Sequence, residues 1–219
     1  MCRFNLCLIL FLFSVISASA ASTVECHCFQ ERQFNPQKSR AADPYFLATT
    51  QNSLLASLFK VEKKSLVRAK MSGRDSNDLW ISHYLAEMSG KSLLEIDRVR
   101  SSGESWGRVV AQLEIGADQL KPQFVALLGK PEELAALIVD NSLIEQLRVP
   151  KSSLVNLRSQ GSENKELILT VFLAQGNGAD PLNIYSHVND GESWGKLLHD
   201  QGLFDGAGIE QKWKELLKR

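Results

Sequence analysis

The feature that most constrains this chain is a five-residue block that occurs twice. Gly103-Glu104-Ser105-Trp106-Gly107 returns as Gly191-Glu192-Ser193-Trp194-Gly195, 88 positions later. The same register pairs Leu85-Ala86 with Leu173-Ala174, Gly90 with Gly178, Leu94 with Leu182 and Ile96 with Ile184. Upstream, Leu66-Val67 pairs with Leu154-Val155. Asn52-Ser53-Leu54 pairs with Asn141-Ser142-Leu143 at a spacing of 89, so one residue was gained or lost between. Self-similarity at a fixed period marks a repeated structural unit. It places one module at residues 43–119 and its copy at 131–207. A linker at 120–130 joins them, an arm at 21–42 precedes them and a short tail at 208–219 follows.

The periodicity within each module is helical. Ile81, Tyr84, Leu85 and Met88 recur at i, i+3, i+4 and i+7, as do Trp106, Val109, Val110 and Leu113. Trp194, Leu197 and Leu198 repeat that stripe, and Trp213, Leu216 and Leu217 give a last amphipathic turn. No stretch alternates long enough for a strand. Gly73, Gly90, Gly161, Gly178 and Gly202 mark helix ends, and Pro150 suits a helix's first turn. The expected fold is all-α, with two tandem modules of about 88 residues. In the second copy the helices fall near 131–148, 150–160, 163–175, 180–189 and 192–200. The expected arrangement is two related domains, joined by an approximate two-fold axis or a superhelical step.

The repeated block reads as a structural corner. Ser102 or Asp190 can cap the following helix. Glu104 and Glu192 would then lie in its first turn, where a carboxylate suits the positive dipole end. Trp106 and Trp194 head the apolar stripes and would plug the core. Gly103 and Gly191 open the block, and Gly107 and Gly195 would let another helix come close. The sharper alternative is a paired carboxylate site built from Glu104 and Glu192. A Gly-x-x-Trp-Gly turn after a Leu-Ala-x-x-x-Gly helix end, carried by residues 85–115 and 173–203, resembles a helical module of uncharacterised bacterial exported proteins. That resemblance implies no activity and no functional residues. The block also resembles the end of a helix-turn-helix, which the signal segment and the lack of a broad basic face argue against.

The first residues point to export. Arg3 precedes an apolar run from Leu6 to Ile16, and Ser17-Ala18-Ser19-Ala20 supplies a signal-peptidase site with cleavage expected after Ala20. Residues 1–20 are thus a signal peptide, and the product is periplasmic or extracellular with no stable membrane span after cleavage. The alternative is an uncleaved anchor. Cleavage leaves two cysteines, Cys26 and Cys28, which cannot make a disulfide scaffold. With 25 basic and 25 acidic residues the chain is neutral, a poor partner for nucleic acid. The modules differ: residues 131–207 carry 5 basic and 11 acidic side chains, while Lys60, Lys63, Lys64, Arg68, Lys70 and Arg74 form a basic stretch in the first. That stretch could dock on the acidic copy or remain a solvated helix face.

Cys26-His27-Cys28 is the cluster with an obvious chemical vocabulary. In an extended arm the two sulfurs share a side and His27 faces away. Two thiolates suit a soft ion such as Cu(I) better than zinc, so Cys26 and Cys28 are the candidate metal or redox residues. A disulfide or idle thiols are the plainer readings. His83, His187 and His199 face Val171, Val99 and Ala111 in the other copy, so no histidine is duplicated. They read as surface or boundary residues. Asp75 and Asp78 suit a helix's first turn before Leu79. No catalytic triad, His-Glu-x-x-His pair or phosphate loop occurs, and no cofactor is implied. Thr49-Thr50-Gln51 stand where Ile138-Val139-Asp140 stand in the copy. The expected function is an exported, non-catalytic helical-repeat protein that binds a protein, an envelope component or a small ligand, with the groove between copies as its site. The alternative is an envelope metal-handling or thiol-redox protein using Cys26-His27-Cys28.

Overall fold

The computed structural model describes residues 29–218. Its regular structure is all-helical, with no strand among the described residues, as the periodicity predicts. A 3-10 turn at Pro36–Lys38 precedes α1 Asp43–Leu58, α2 Lys63–Met71, α3 Ser76–Ser89, α4 Leu93–Ser101, α5 Trp106–Gln112 and α6 Pro122–Val125. There follow α7 Pro131–Leu147, α8 Lys151–Ser159, α9 Asn164–Asn177, α10 Pro181–Asn189, α11 Trp194–Asp200 and α12 Gly206–Leu216. The starts of α1 to α5 and of α7 to α11 are 88 residues apart at every position: Asp43 and Pro131, Lys63 and Lys151, Ser76 and Asn164, Leu93 and Pro181, Trp106 and Trp194.

Local chemistry sets these ends. Asp75 caps α3 by accepting from the amides of Asn77 and Asp78. Ser92 and Glu95 form a reciprocal capping box on α4. Gly90 (φ 67°) and Gly178 (φ 73°) close α3 and α9 in the left-handed region that a Cβ disfavours. Pro150 is the N-cap of α8, one residue outside the first turn expected for it.

Packing crosses the midpoint of the chain. α1 packs against α9, and α3 packs against α7. By spacing, α1 matches α7 and α3 matches α9, so the pairing is reciprocal. A superhelical step would repeat one contact in one direction, whereas a two-fold axis pairs i with j and j with i. The buried apolar residues form one cluster running from Ala42 to Leu216, so the two halves interleave around a shared core.

The linker and the tail both contribute to that core. In the linker, Phe124 on α6 is 1 % exposed and stacks on Tyr84, with ring centroids 5.0 Å apart. In the tail, α12 lies along α1. Trp213 is fully buried, packs on Phe172 at 4.8 Å and donates through Nε1 to the Thr50 carbonyl at 3.1 Å.

α2, α9, α11 and α12 all pack on α1, and every residue from Ala48 to Ala56 is buried. Its centre is polar: Thr49, Thr50, Gln51, Asn52 and Ser53. Some of these hydroxyls are satisfied within the helix. Thr50 Oγ1 donates to the Phe46 carbonyl at 2.7 Å, and Ser53 Oγ to the Thr49 carbonyl at 2.8 Å.

Candidate functional site

The repeated corner has a structural chemistry of its own. α4 closes at Ser102 and α10 at Asp190, and Gly103 (φ 88°) and Gly191 (φ 112°) then turn the chain. The capping hydroxyls are therefore Ser105 and Ser193, not Ser102 or Asp190. Ser105 Oγ accepts from the Arg108 amide at 3.4 Å, and Ser193 Oγ from the Lys196 amide at 3.1 Å. Ser102 and Asp190 are spent ending the preceding helix. Glu104 and Glu192 fall one residue before the caps rather than in the first turn. Each pairs with the basic residue four positions on, Arg108 at 3.7 Å and Lys196 at 3.0 Å. The two carboxylates are thus engaged locally, each in its own corner, and do not form a shared acid pair.

Trp106 and Trp194 are 1 % and 3 % exposed. In the first half, Trp106 Nε1 donates to Asp78 Oδ1 at 3.1 Å. Arg100 grips the same carboxylate through Nε and Nη2 and lies 5.1 Å over the indole. Val188 stands at the matching place in the second half, so this cluster has no counterpart there. The last glycines also differ. A Cβ on Gly195 would lie 3.2 Å from Phe46 and 3.3 Å from Phe34, whereas one on Gly107 would meet nothing within 4 Å. Asp43 Oδ1 accepts from the Gly195 amide at 2.8 Å, which ties the start of α1 to the start of α11. Burial pushes the Asp43 carboxyl above its usual range, against the lowering effect of the Gly195 and Trp194 amides.

Between the halves the N-termini of α3 and α9 meet. Asn164 Nδ2 donates to Asn77 Oδ1 at 3.2 Å. A cleft of about 440 Å³ opens beside this contact, lined from one half by Gln51, Asp75 and Asn77 and from the other by Glu132, Arg158 and Asn164. Arg158 is held in place: Nη2 reaches Asp140 at 2.8 Å and Asn164 Oδ1 at 2.6 Å, and Nη1 reaches the Ser162 carbonyl at 3.1 Å. Its charge is neutralised by Asp140, and its further hydrogen bonds hold Asn164 and the Ser162 carbonyl. Gln51 is 3 % exposed, and its side-chain amide makes no hydrogen bond among the described residues. Gln51 lines the cleft wall, while Asp140, at the matching place in the second half, pairs with Arg158. The cleft offers amide donors, carbonyl acceptors and charges of both signs.

The residues singled out from sequence are scattered. Cys26, His27, Cys28 and the expected signal segment lie outside the described residues. Among the described residues no group of three or more His, Cys, Asp or Glu could hold a metal ion, and no helix is long and apolar enough to cross a membrane. His83 is not a surface residue: it is 5 % exposed and stacks on Phe59 at 5.6 Å. Burial lowers its pKa below the usual histidine value. His187 faces Glu192 at 3.5 Å, and His199 sits between Phe34 and Phe204. The basic stretch is not one face either. Lys70 is buried, Arg74 pairs with Asp97 at 2.8 Å, and Lys63 turns toward α12. Gln51, Asn77 and Asn164 were not marked as a site by sequence; their one trace was the polar Thr49-Thr50-Gln51 opposite Ile138-Val139-Asp140.

The fold and cleft define a class: an all-helical protein with a polar cleft between two interleaved halves. Compared with family models, curated proteins and solved structures, the chain matches none.

Proposed function

We propose that this chain is an exported, non-catalytic binding protein, built by internal duplication of a five-helix unit. In this reading the cleft between the halves holds a polar ligand, such as an exposed segment of a protein or envelope component. The observation that carries it is the cleft itself, lined from both halves by the amides of Gln51, Asn77 and Asn164, with Gln51 making no side-chain hydrogen bond among the described residues. A ligand carbonyl or amide would pair with Gln51 there. The export signal and the resemblance to bacterial exported modules support the compartment. Reciprocal packing of matching helices and their common spacing support the duplication.

The test is native mass spectrometry of the protein purified from its own exported compartment, beside the side-chain amide NMR spectrum. The expected result is a chain starting at Ala21 with a polar ligand that shifts the Gln51, Asn77 and Asn164 amides. Gln51→Leu should weaken that binding at least about tenfold without unfolding the protein, and Cys26→Ser with Cys28→Ser should leave it unchanged. A ligand retained by Gln51→Leu and lost by the double cysteine change would refute the cleft and move the function to the arm.

A further inference from the structure

A second cavity, of about 470 Å³, lies away from the cleft where the end of the arm, α1, α2 and the start of α12 come together. One side of it is aromatic: the Phe29 and Tyr45 rings stand edge to face at 5.8 Å, and Arg32 lies 5.9 Å over the Tyr45 ring. Its floor includes Thr49, 5 % exposed, whose hydroxyl makes no hydrogen bond among the described residues. Ile138 stands at the matching position of α7, so an apolar side chain suits this place in the fold when no hydroxyl is required.

One cation reaches the same spot. Lys63 Nζ has a single long hydrogen bond, 3.5 Å to the Gly206 carbonyl, and no ion pair among the described residues. Two carboxylates line the cavity, but both are engaged elsewhere. Asp205 caps α12 by accepting from the Gly208 amide at 2.8 Å, and Glu210 pairs with Lys214 at 2.9 Å. Partly buried charges are normally paired, and Lys63 is not. Its desolvation lowers its pKa despite the field of both carboxylates.

The donors converge beside a glycine. A Cβ on Gly206 would lie 2.6 Å from Tyr45 Oη, 3.0 Å from Thr49 Oγ1 and 3.5 Å from Lys63 Nζ. Two hydroxyls and an ammonium therefore gather at one side of Gly206, in the first turn of α12, whose N-terminus the Asp205 carboxylate already caps.

We propose that this cavity binds a small organic anion: a carboxylate on a flat apolar body. The carboxylate would meet Lys63, Thr49 and Tyr45 Oη beside Gly206. The body would lie against the Phe29 and Tyr45 rings. Shape and charge each contribute, so neither a bare anion nor a neutral aromatic suffices.

The probe is benzoate, titrated calorimetrically into the full chain, beside benzyl alcohol (the body without the charge) and inorganic phosphate (the charge without the body). The expected result is saturable benzoate binding, at least about tenfold tighter than either control. Lys63→Gln should weaken benzoate at least about tenfold while leaving the melting temperature of the free protein unchanged or higher, because the variant removes a desolvated, unpaired charge. Thr49→Val, close to the natural Ile138, should fold and weaken benzoate as well. Gln51→Leu should leave benzoate affinity unchanged, which separates this site from the cleft. The proposal falls if no saturable binding occurs up to about 50 mM, if phosphate binds as tightly as benzoate, or if Lys63→Gln binds benzoate like the parent.

Discussion

Gly107 and Gly195 occupy the same position of the same five-residue block, and alanine should act on them with opposite sign. Both lie one residue into a helix, α5 and α11. In a helix alanine is favoured over glycine by up to about 1 kcal/mol, because it loses less backbone freedom on folding. At Gly107 nothing opposes that gain, since a Cβ there has open space out to 4 Å. Gly107→Ala should therefore stabilise by about 0.5 kcal/mol, the first turn gaining less than an interior one. At Gly195 the new methyl would sit 3.2 Å from Phe46, 3.3 Å from Phe34 and 3.5 Å from Asp43 Oδ1. Phe34 is half-buried and can yield, but Phe46 is fully buried and cannot retreat without moving α1. Overpacking a rigid site costs about 1–3 kcal/mol, which exceeds the backbone gain, so Gly195→Ala should destabilise by about 1–2 kcal/mol. Urea unfolding of the two variants and the parent, followed by tryptophan fluorescence, gives both values. Equal shifts in the same direction would refute the argument, because they would mean that the corner is equivalent in both halves and that α1 does not press on α11.

Three further outcomes follow from the packing and from the buried titratable groups. Trp213→Ala should destabilise by about 3–5 kcal/mol, seen in the urea midpoint, since the ring is fully buried on Phe172; a loss below about 1 kcal/mol would make α12 a dispensable tail after all. His83 faces Asp97 and Arg74, with Lys60 and Glu87 lining the same small cavity, and its folded pKa is depressed. Its contribution is therefore full above the unfolded value of 6.5 and is lost as pH falls from there through the folded pKa. Urea midpoints between pH 8 and 5 (a span of about 3 units around the usual histidine pKa) should drop in the parent and flatten in His83→Phe. Removing the cap of α11 with Ser193→Ala should destabilise by about 1 kcal/mol, measured in the same titration; no change would mean that the hydroxyl contributes nothing at that corner.

Sequence alone determined what depends on near neighbours. Helical periodicity, the left-handed glycines at Gly90 and Gly178 and the spacing of 88 between helix starts all follow from side chains within a turn or two of one another. Even there the helix caps lie three residues further on than the local pattern indicates. Ser105 and Ser193 cap, rather than Ser102 and Asp190, because the preceding helix runs on to those residues before the glycine turns the chain. The rest required the tertiary structure. α1 reads as an unremarkable polar-centred helix until α9, α11 and α12 enclose it, and only then do Gln51 and Thr49 become buried groups facing cavities. The identical motif glycines diverge because Phe46 and Phe34 approach one and nothing approaches the other. The tail becomes a core helix because Trp213 finds a place between α1 and α9. Periodicity records which face of a helix is apolar; it does not record which distant helix covers that face, and that choice turned two scattered polar residues of α1 into candidate binding groups.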